Sequence, residues 1–247
     1  MLKAVRSSVH PITQKNMFTN TEKITRPNNS TVHRTRHKVI SVENLTPETF
    51  VVRIEKNDFR FEPGQYVVFR IPELKQGREY SIYSGANETY LDFLVREIPE
   101  GSFSRYLRHI KTGEIVELEG PKGFFILDEQ AKQGAPLLFV ATGTGISPFH
   151  SFVKSFPDLN YNVLHGVHFD DEAYGRKSFI QGNFTLCTSR VDKGDYFGRV
   201  TYFLKEHPVA RDTICYLCGN SEMIEEVAGI LENYGIPPEN IRTEVFF

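Results

Sequence analysis

Cysteine is scarce in this chain, which has only Cys187, Cys215 and Cys218 among 247 residues. Three thiols cannot form the disulfide framework of a small secreted domain, so we expect a reducing, cytoplasmic setting. They also fall short of the four cysteine ligands that a [2Fe–2S] cluster normally needs. Cys215 and Cys218 have C-x-x-C spacing but lie in a predicted strand, where side chains three positions apart point to opposite faces. Without a second pair to complete a zinc site, we predict no bound metal.

Long apolar runs and an excess of one charge are also missing. No segment approaches the roughly 20 apolar residues that a membrane helix requires, so we expect no membrane partner. The formal net charge is −2, which gives no whole-chain reason to expect nucleic acid. Hydrophobic residues make up 40% of the chain and charged residues 24%, as is typical of globular proteins. The length suits two domains, and we find no internal repeat.

The first 38 residues carry eight Lys or Arg against one acidic residue, Glu22, and show no hydrophobic period. This composition favours a flexible basic tail, which we place at residues 1–35. A targeting segment is the alternative, because transit peptides are also basic and poor in acidic residues.

Residues 136–156 contain a pattern that predicts a strand, a turn and a helix in succession. A short apolar run predicts a strand buried on both faces. Gly143 and Gly145 predict a tight turn that a Cβ would obstruct, and Ser147 is expected to cap a helix that begins at Pro148. Backbone N–H groups and the positive end of the helix dipole would then meet at one point, which suits a nucleotide phosphate. The alternative is an ordinary tight turn, because the pattern departs from G-x-G-x-x-G.

The chain before and after this pattern has two different rhythms. Residues 39–127 contain six β-rich runs with frequent turns, which predict an antiparallel barrel over 36–130. A short helix is predicted at 101–109, and its N-terminus is a second candidate phosphate site. Residues 131–247 alternate strands with helices, the clearest helix being 222–234, and predict a parallel sheet with helices on both faces. The carboxyl ends of such strands meet at one edge, where ligands bind.

Two motifs in sequence order now point to a known family. Arg78-Glu79-Tyr80-Ser81 matches R-x-Y-S/T, and the segment from Gly143 to Pro148 matches G-T-G-x-x-P. The chain thereby resembles the ferredoxin–NADP reductase superfamily, and most nearly the compact bacterial ferredoxin/flavodoxin–NADP reductases. The resemblance extends to residues 120–127, 216–224 and 244–247. It implies an FAD-binding barrel followed by an α/β NADP-binding domain.

The resemblance also implies positions for the FAD contacts. Arg78 would meet the pyrophosphate through its forked, permanently charged guanidinium. Tyr80 would lie against the flavin or its ribityl chain, and Ser81 would place its hydroxyl near flavin N5. The full set of implied FAD contacts is Arg78, Glu79, Tyr80, Ser81, Phe93, Leu94, Val95, Arg96, Gly101, Ser102, Phe103 and Ser104.

For the nucleotide, the resemblance implies that the glycine turn receives the NADP pyrophosphate. A Ser-Arg pair and a second arginine would hold the 2′-phosphate, since a dianion needs charge-assisted donors whereas a bare 2′-OH pairs better with an acidic residue. NADP is therefore expected in preference to NAD. The implied contacts are Gly143, Thr144, Gly145, Pro148, Ser189, Arg190, Arg199, Cys218, Gly219, Asn220, Met223, Phe246 and Phe247, although the place of Met223 in an apolar helix stripe favours a core position.

The residues expected at the reacting centre are Ser81, Cys218, Glu244 and Phe246. Phe246 matches the position of a terminal aromatic ring that would cover the flavin and move aside for nicotinamide. Glu244 matches a carboxylate near the flavin, and a structural strand glutamate is the alternative.

These expectations combine into one function and two alternatives. We predict a monomeric flavoenzyme that transfers electrons between NADP(H) and a ferredoxin or flavodoxin, whose acidic surface could meet Arg105, Arg108 and Lys111. The first alternative is an NAD(P)H reductase component serving an oxygenase or a haem protein. The second is a regulatory subunit that binds flavin or nucleotide without turnover.

Overall fold

The computed structural model describes residues 34–246. The predicted tail therefore lies outside the described residues except for Arg34 and Thr35, which begin the first strand. Phe247 also lies outside them. Throughout the described range, no helix combines the length and apolar character needed to cross a membrane.

The first half of the described chain is an antiparallel sheet of six strands. Their bounds are β1 (Arg34–Asn44), β2 (Thr49–Glu55), β3 (Tyr66–Ile71), β4 (Gln76–Ser81), β5 (Tyr90–Arg96) and β6 (Ile115–Lys122). The spatial order is β4-β3-β6-β1-β2-β5. Alternate residues such as Val67, Phe69 and Ile71 on β3 are buried in one core. The N–H of Tyr83 donates to the carbonyl of Asp92 at 2.8 Å, which joins the chain after β4 to β5 and confirms the predicted barrel-like sheet.

The predicted short helix is confirmed as α1 (Ser102–His109). Phe103 and Leu107 anchor it by entering the barrel core. Gly101 precedes the helix and offers no side chain to cap it, so the first N–H groups of α1 have no side-chain acceptor at that position.

The second half is a parallel sheet of six strands in the order β10-β9-β8-β7-β11-β12. The strands are β7 (Leu137–Thr142), β8 (Tyr161–Val167), β9 (Phe184–Thr188), β10 (Tyr196–Phe197), β11 (Ile214–Gly219) and β12 (Ile241–Val245). The helices are α2 (Glu129–Lys132), α3 (Ser147–Ser155), α4 (Val200–Glu206) and α5 (Ser221–Asn233). Single 3₁₀ turns occur at Pro72–Leu74, Gly143–Ile146, Asp170–Glu172, Arg176–Ser178 and Pro238–Asn240.

Both faces of the parallel sheet are covered by helices, as the sequence predicts. Phe139 of β7 packs with α3 on one face, whereas Leu138 and Val140 pack with α4 and α5 on the other. Cys215 and Cys218 belong to these two different cores, so their sulfurs lie on opposite faces. The part of the chain that the structure describes holds no cluster of three or more His, Cys, Asp or Glu suited to a metal.

The structure corrects the predicted start of α3. The helix begins at Ser147 and not at Pro148, because the Gly143–Ile146 turn is itself helical and continues into it. The Ser147 hydroxyl does not cap the helix by accepting a bond but donates to the carbonyl of Thr144 at 2.7 Å. The short elements α2, α4 and β10 were not predicted from the sequence.

A seam of hydrogen bonds and rings joins the barrel to α3. His150 stacks on Tyr83 with ring centroids 3.8 Å apart, and its Nδ1 lies 2.7 Å from the Tyr83 carbonyl. The Ser151 hydroxyl donates to the Ser84 carbonyl at 2.7 Å. The N–H of Ala86 donates to the Ser155 hydroxyl at 2.8 Å. This seam fixes the position of the barrel against the parallel sheet.

Candidate functional site

A cleft of about 1470 Å³ runs between the barrel and the carboxyl ends of the parallel strands. On the barrel side it lies between β4 and β5, the two strands at the ends of their sheet. On the other side it meets β7, where strand order reverses, because β8 lies on one side of β7 and β11 on the other. Open parallel sheets bind ligands at such a reversal.

Both faces of β4 line the cleft because β4 is an edge strand. Arg78 is exposed, its guanidinium bonds only to the carbonyl of Gly77 at 2.9 Å, and no described carboxylate pairs with it. A Cβ at Gly77 would overlap the side chain of Val68 and crowd that of Arg70 on the neighbouring strand, so glycine keeps this backbone bare. This edge therefore offers a free cation beside a strip of bare backbone.

An aromatic pair forms the apolar part of the barrel wall. The Tyr80 ring is stacked on that of Phe103, with centroids 6.2 Å apart and planes 26° apart. Burial raises the pKa of the Tyr80 hydroxyl to about 12, so it remains protonated at neutral pH. Flat rings of this kind accept a planar ligand against their faces.

The N-terminus of α1 enters the cleft through Gly101, Ser102, Phe103 and Ser104. The Ser104 hydroxyl is already used, since it accepts the N–H of Ile98 at 2.9 Å. Arg96 also lines the cleft, and it pairs with exposed Glu48 at 2.8 Å.

The glycine turn lies opposite, and its two glycines serve different purposes. Gly143 has a left-handed φ of +52°, which disfavours side chains even though no atom would obstruct a Cβ. At Gly145 a Cβ would overlap the carbonyl of Cys218 on the neighbouring strand. The first glycine therefore sets the direction of the turn, and the second lets β7 and β11 end close together.

A polar link holds the ends of β7 and β11. The Thr142 hydroxyl accepts both the backbone N–H and the side-chain amide of Asn220, each at 3.3 Å. Asn220 in turn caps α5 by accepting the N–H of Met223 at 2.8 Å. Thr142, Asn220 and Met223 all line the cleft.

Ser81 and Glu244 meet where the two walls join. The Ser81 hydroxyl donates to the Glu244 carboxylate at 3.4 Å. The pKa of Glu244 is raised to about 7, chiefly by burial; the bond from Ser81 opposes this shift, and the negative charge of Glu79 adds to it. Phe246 lines the cleft beside them, and its N–H donates to the Gly219 carbonyl at 2.8 Å.

Cys218 lies next to Glu244 in the sheet but does not line the cleft. Its thiol is fully buried, and this burial raises the thiol pKa well above its usual value. A protonated thiol behind the wall is not a nucleophile.

The far end of the cleft contains Ser189, Arg199, His168 and Glu172. The Glu172 carboxylate accepts the backbone N–H groups of His168 at 2.8 Å and Phe169 at 2.9 Å. Nδ1 of His168 lies 3.0 Å from the Ser189 hydroxyl. This end therefore combines one arginine with one carboxylate, of which Oε2 accepts both loop N–H groups while Oε1 accepts none from the described residues.

Most of the predicted contacts do line the cleft. Those that do not are Phe93, Val95, Gly145, Pro148, Arg190 and Cys218. Phe93 and Val95 alternate on β5 with Leu94 and Arg96, so they point into the barrel core. Pro148 and Gly145 are buried at the start of α3. These positions support the wall and do not form its surface.

The sequence predicts that Ser189 and Arg190 bind the ligand as a pair, but only Ser189 lines the cleft. Its guanidinium lies 5.8 Å from the ring of Phe169, outside the cleft lining. The sequence shows that an arginine follows a strand, but the direction of its side chain depends on the loop that the neighbouring segment forms.

Several lining residues were not predicted from the sequence, among them Tyr66, Val68, Gly77, Thr142, His168, Glu172 and Glu222. Thr142 and His168 directly follow buried strand runs, so their place at the carboxyl edge of the sheet was a usable signal. Tyr66 and Val68 lie beside β4 only because β3 pairs with it, which the sequence does not reveal.

Comparison with known proteins gives matches over both halves. Residues 35–126 match the family model described as "Oxidoreductase FAD-binding domain". The chain is 30% identical over 226 residues to the toluate 1,2-dioxygenase electron transfer component of Pseudomonas putida, covering 84% of this chain and 66% of that protein. It is 33% identical over 202 residues to the 2-halobenzoate 1,2-dioxygenase electron transfer component of Burkholderia cepacia, covering 75% and 59%. The chain thus spans less than two thirds of the length of both relatives.

Among solved structures, the fold is similar to that of a ferredoxin NADP+ reductase from Neisseria gonorrhoeae with bound FAD and NADP. The TM-score is 0.76 at 23% identity, over 87% of this chain and 99% of that one. This likeness covers the barrel-like sheet and the parallel sheet together.

Proposed function

The chain belongs to the ferredoxin–NADP reductase superfamily, and from this membership we propose that it is an FAD-dependent oxidoreductase. It exchanges electrons between NADP(H) and a separate carrier, a ferredoxin or flavodoxin. The observation that carries the proposal is the shared cleft, in which the β4 edge with Arg78 faces the glycine turn after β7. Residues 36–130 would bind FAD, and residues 131–247 the nucleotide.

The residues of the barrel wall fit FAD. Arg78 has no described carboxylate partner, Gly101 leaves the N-terminus of α1 without a side-chain cap, and both suit a pyrophosphate. The ring of Tyr80 lines the cleft where a planar group would lie, and buried Phe103 supports it by stacking. The cleft volume exceeds the roughly 300–1,000 Å³ of ordinary ligand pockets, as a site for two dinucleotides requires.

FAD, when bound, supplies the ability to accept a hydride and to pass on single electrons. The role of this chain is to orient both ligands and to set the charge around them. Ser81 and Glu244 lie at the junction of the two walls, and Phe246, two residues after Glu244, lines the same cleft. No side chain has to act as a general base.

The nucleotide wall contains one cation suited to the 2′-phosphate of NADPH and one carboxylate that opposes it. Arg199 is the cation that lines the far end, with Ser189 beside it. Arg190 lies outside the lining, and Glu172 adds a negative charge nearby. We therefore propose NADPH as the preferred donor, with Arg199 supplying most of the preference.

The charges available to bind an electron carrier differ from those that the sequence suggested. Arg108 pairs with Glu97 and is largely buried, while Arg105 lies 4.0 Å from the same carboxylate. These two arginines are therefore partly neutralised, and of the three only Lys111 keeps its charge free for an acidic carrier.

The relatives give specific support to a second candidate function, a reductase component of an oxygenase system. Both curated relatives are electron transfer components of dioxygenases. In this reading NADH is the donor, and the carboxylate of Glu172 near the far end suits a ribose with a free 2′-OH.

The first test is a visible spectrum of the purified protein, followed by anaerobic addition of NADPH or NADH. We expect a yellow protein that NADPH bleaches faster than NADH. Arg199→Leu should weaken the NADPH response by roughly tenfold to a hundredfold, because a charge-assisted contact contributes about 1.5–3 kcal/mol. Arg190→Leu is the matched control and should change it little.

Other outcomes separate the candidates. Faster bleaching by NADH would favour the oxygenase component. A yellow protein that neither nucleotide reduces would indicate a non-catalytic subunit. A colourless protein that cannot be reconstituted with FAD would contradict the proposal as a whole.

A further inference from the structure

His165 lies in the middle of β8, beneath the glycine turn and away from the cleft lining. It pairs in register with Ala141 of β7, two residues before Gly143. Its side chain is fully buried, and its Nε2 lies 2.8 Å from the carbonyl oxygen of Gly143. One buried side chain thus connects the sheet to the turn.

The chemistry of this contact fixes the state of the ring. A carbonyl oxygen can only accept, so Nε2 carries the hydrogen and Nδ1 is a bare acceptor. No described group bonds to Nδ1, and the rings of Tyr174 and Phe184 lie 6.1 and 5.9 Å from the imidazole. Burial also lowers the pKa of His165 to about 4. Burying a neutral ring with an unpartnered acceptor in an apolar site costs free energy. The hydrogen bond to the Gly143 carbonyl explains why a histidine occupies this position.

That bond determines which way the next peptide group points. The peptide between Gly143 and Thr144 is trans, since the cis bond in the described chain is at Gly120-Pro121. In a planar trans peptide, the C=O and N–H point in opposite directions. Because the Gly143 carbonyl points down to His165, the N–H of Thr144 points up, on the side where Gly143 and Thr144 line the cleft.

We propose that His165 is a positioning residue that holds the Thr144 N–H toward the pyrophosphate of the bound nucleotide. This inference rests on the proposed function, because it requires a dinucleotide in the cleft. His165 does not itself touch the ligand. Its Nε2–H gives the Gly143 carbonyl a hydrogen bond that this residue, in its left-handed conformation, cannot obtain from a neighbouring strand.

The test compares variants of the FAD-loaded protein. His165→Leu removes the donor, and His165→Gln keeps an N–H donor at a similar reach. His150→Gln is the matched control, since His150 is also buried but bonds to Tyr83 and Ser178. Affinities for NADP+ and for 2′-AMP, which lacks the pyrophosphate, are measured by the change in flavin absorbance or by competition with NADPH.

We expect His165→Leu to weaken NADP+ by about tenfold, the effect of one lost hydrogen bond. The affinity for 2′-AMP should stay the same, and His165→Gln should recover most of the loss. His150→Gln should leave both affinities unchanged. If the leucine variant does not hold FAD, His165→Phe fills the space with a ring that lacks the donor and carries the same expectation.

Equal NADP+ affinity in wild type and His165→Leu would overturn the role of His165 alone. So would an equal loss for NADP+ and 2′-AMP, which would indicate general loosening of the domain, or a failure of glutamine to restore binding. A wild-type protein that binds neither nucleotide would overturn the proposed function itself.

Discussion

The carboxyl group of Glu244 has a pKa that burial raises to about 7, so its charge changes near neutral pH. We expect reduction by NADPH to slow as pH rises through 7, because ionisation adds a negative charge beside a site that gains electrons. An effect of about 1 kcal/mol, or roughly fivefold in rate, corresponds to a charge a few ångströms away in a solvated cleft. Stopped-flow rates between pH 5.5 and 8.5 would measure it.

Two variants make this prediction specific. Glu244→Gln should remove the inflection, since the amide does not titrate. Ser81→Ala should keep the inflection but move it to higher pH, because in the wild-type protein the Ser81 hydroxyl stabilises the ionised form of Glu244. An inflection near pH 7 that survives in Glu244→Gln would show that another group titrates.

At the residue scale, the sequence predicts which residues belong to the site better than it predicts which way their side chains point. The motif with Arg78 and the glycine turn could be found from the letters alone, and both line the cleft. Leu94 and Arg96 could have been separated from Phe93 and Val95 by strand alternation. The raised pKa of Glu244 could not be predicted, because it results from burial between the barrel and the parallel sheet.

At the scale of elements, the turn after β7 and helix α5 respond oppositely to the same substitution. Gly145→Ala places a Cβ against the backbone of Cys218 and should cost about 2 kcal/mol or more, since backbone cannot easily move away. Gly229→Ala lies on the exposed side of α5, where a Cβ meets nothing within 4 Å. It should stabilise by about 0.5–1 kcal/mol, the helix preference for alanine.

Denaturant unfolding with FAD in fixed excess would measure both changes. The comparison tests the close approach of β7 and β11 itself, because the two variants add the same methyl group. A Gly145→Ala protein as stable as wild type would show that the strands separate more easily than the structure indicates.

Sequence periodicity predicts the long elements and fails for the short ones. The barrel strands, the parallel strands β7, β8, β9, β11 and β12, and helix α5 each contain enough residues to show a period of two or 3.6. β10 has two residues and α2 four, too few for any period. The predicted start of α3 was wrong by one residue because a 3₁₀ turn precedes the helix and continues into it.

For the whole molecule, two buried histidines contribute to the loss of stability in acid. Burial lowers the pKa of both His150 and His165 to about 4, below the 6.5 of an exposed imidazole. The unfolded chain therefore binds protons between pH 6.5 and 4 that the folded chain does not, so stability falls as pH falls through this window. Each histidine should account for about 3 kcal/mol.

Glu244 has the opposite effect on stability over nearly the same pH range. Its raised pKa means that it contributes stability below about pH 4.5, which is lost as pH rises through 7. The net acid loss should therefore be smaller than the two histidines alone would give. Urea unfolding of the holoprotein at pH 7 and pH 4.5 would show a larger loss in Glu244→Gln and a smaller one in His150→Gln. No change in either variant would contradict this account.

The seam along α3 has a consequence for how the molecule melts. Val51, Tyr83 and Leu94 from the barrel share one buried core with Phe149 and Phe152 of α3, so neither half can lose its packing without exposing the other. A ligand stabilises every part of a structure that unfolds together with its site. Nucleotide held by the parallel sheet would therefore delay the melting of the barrel, and FAD held by the barrel would protect the parallel sheet from heat.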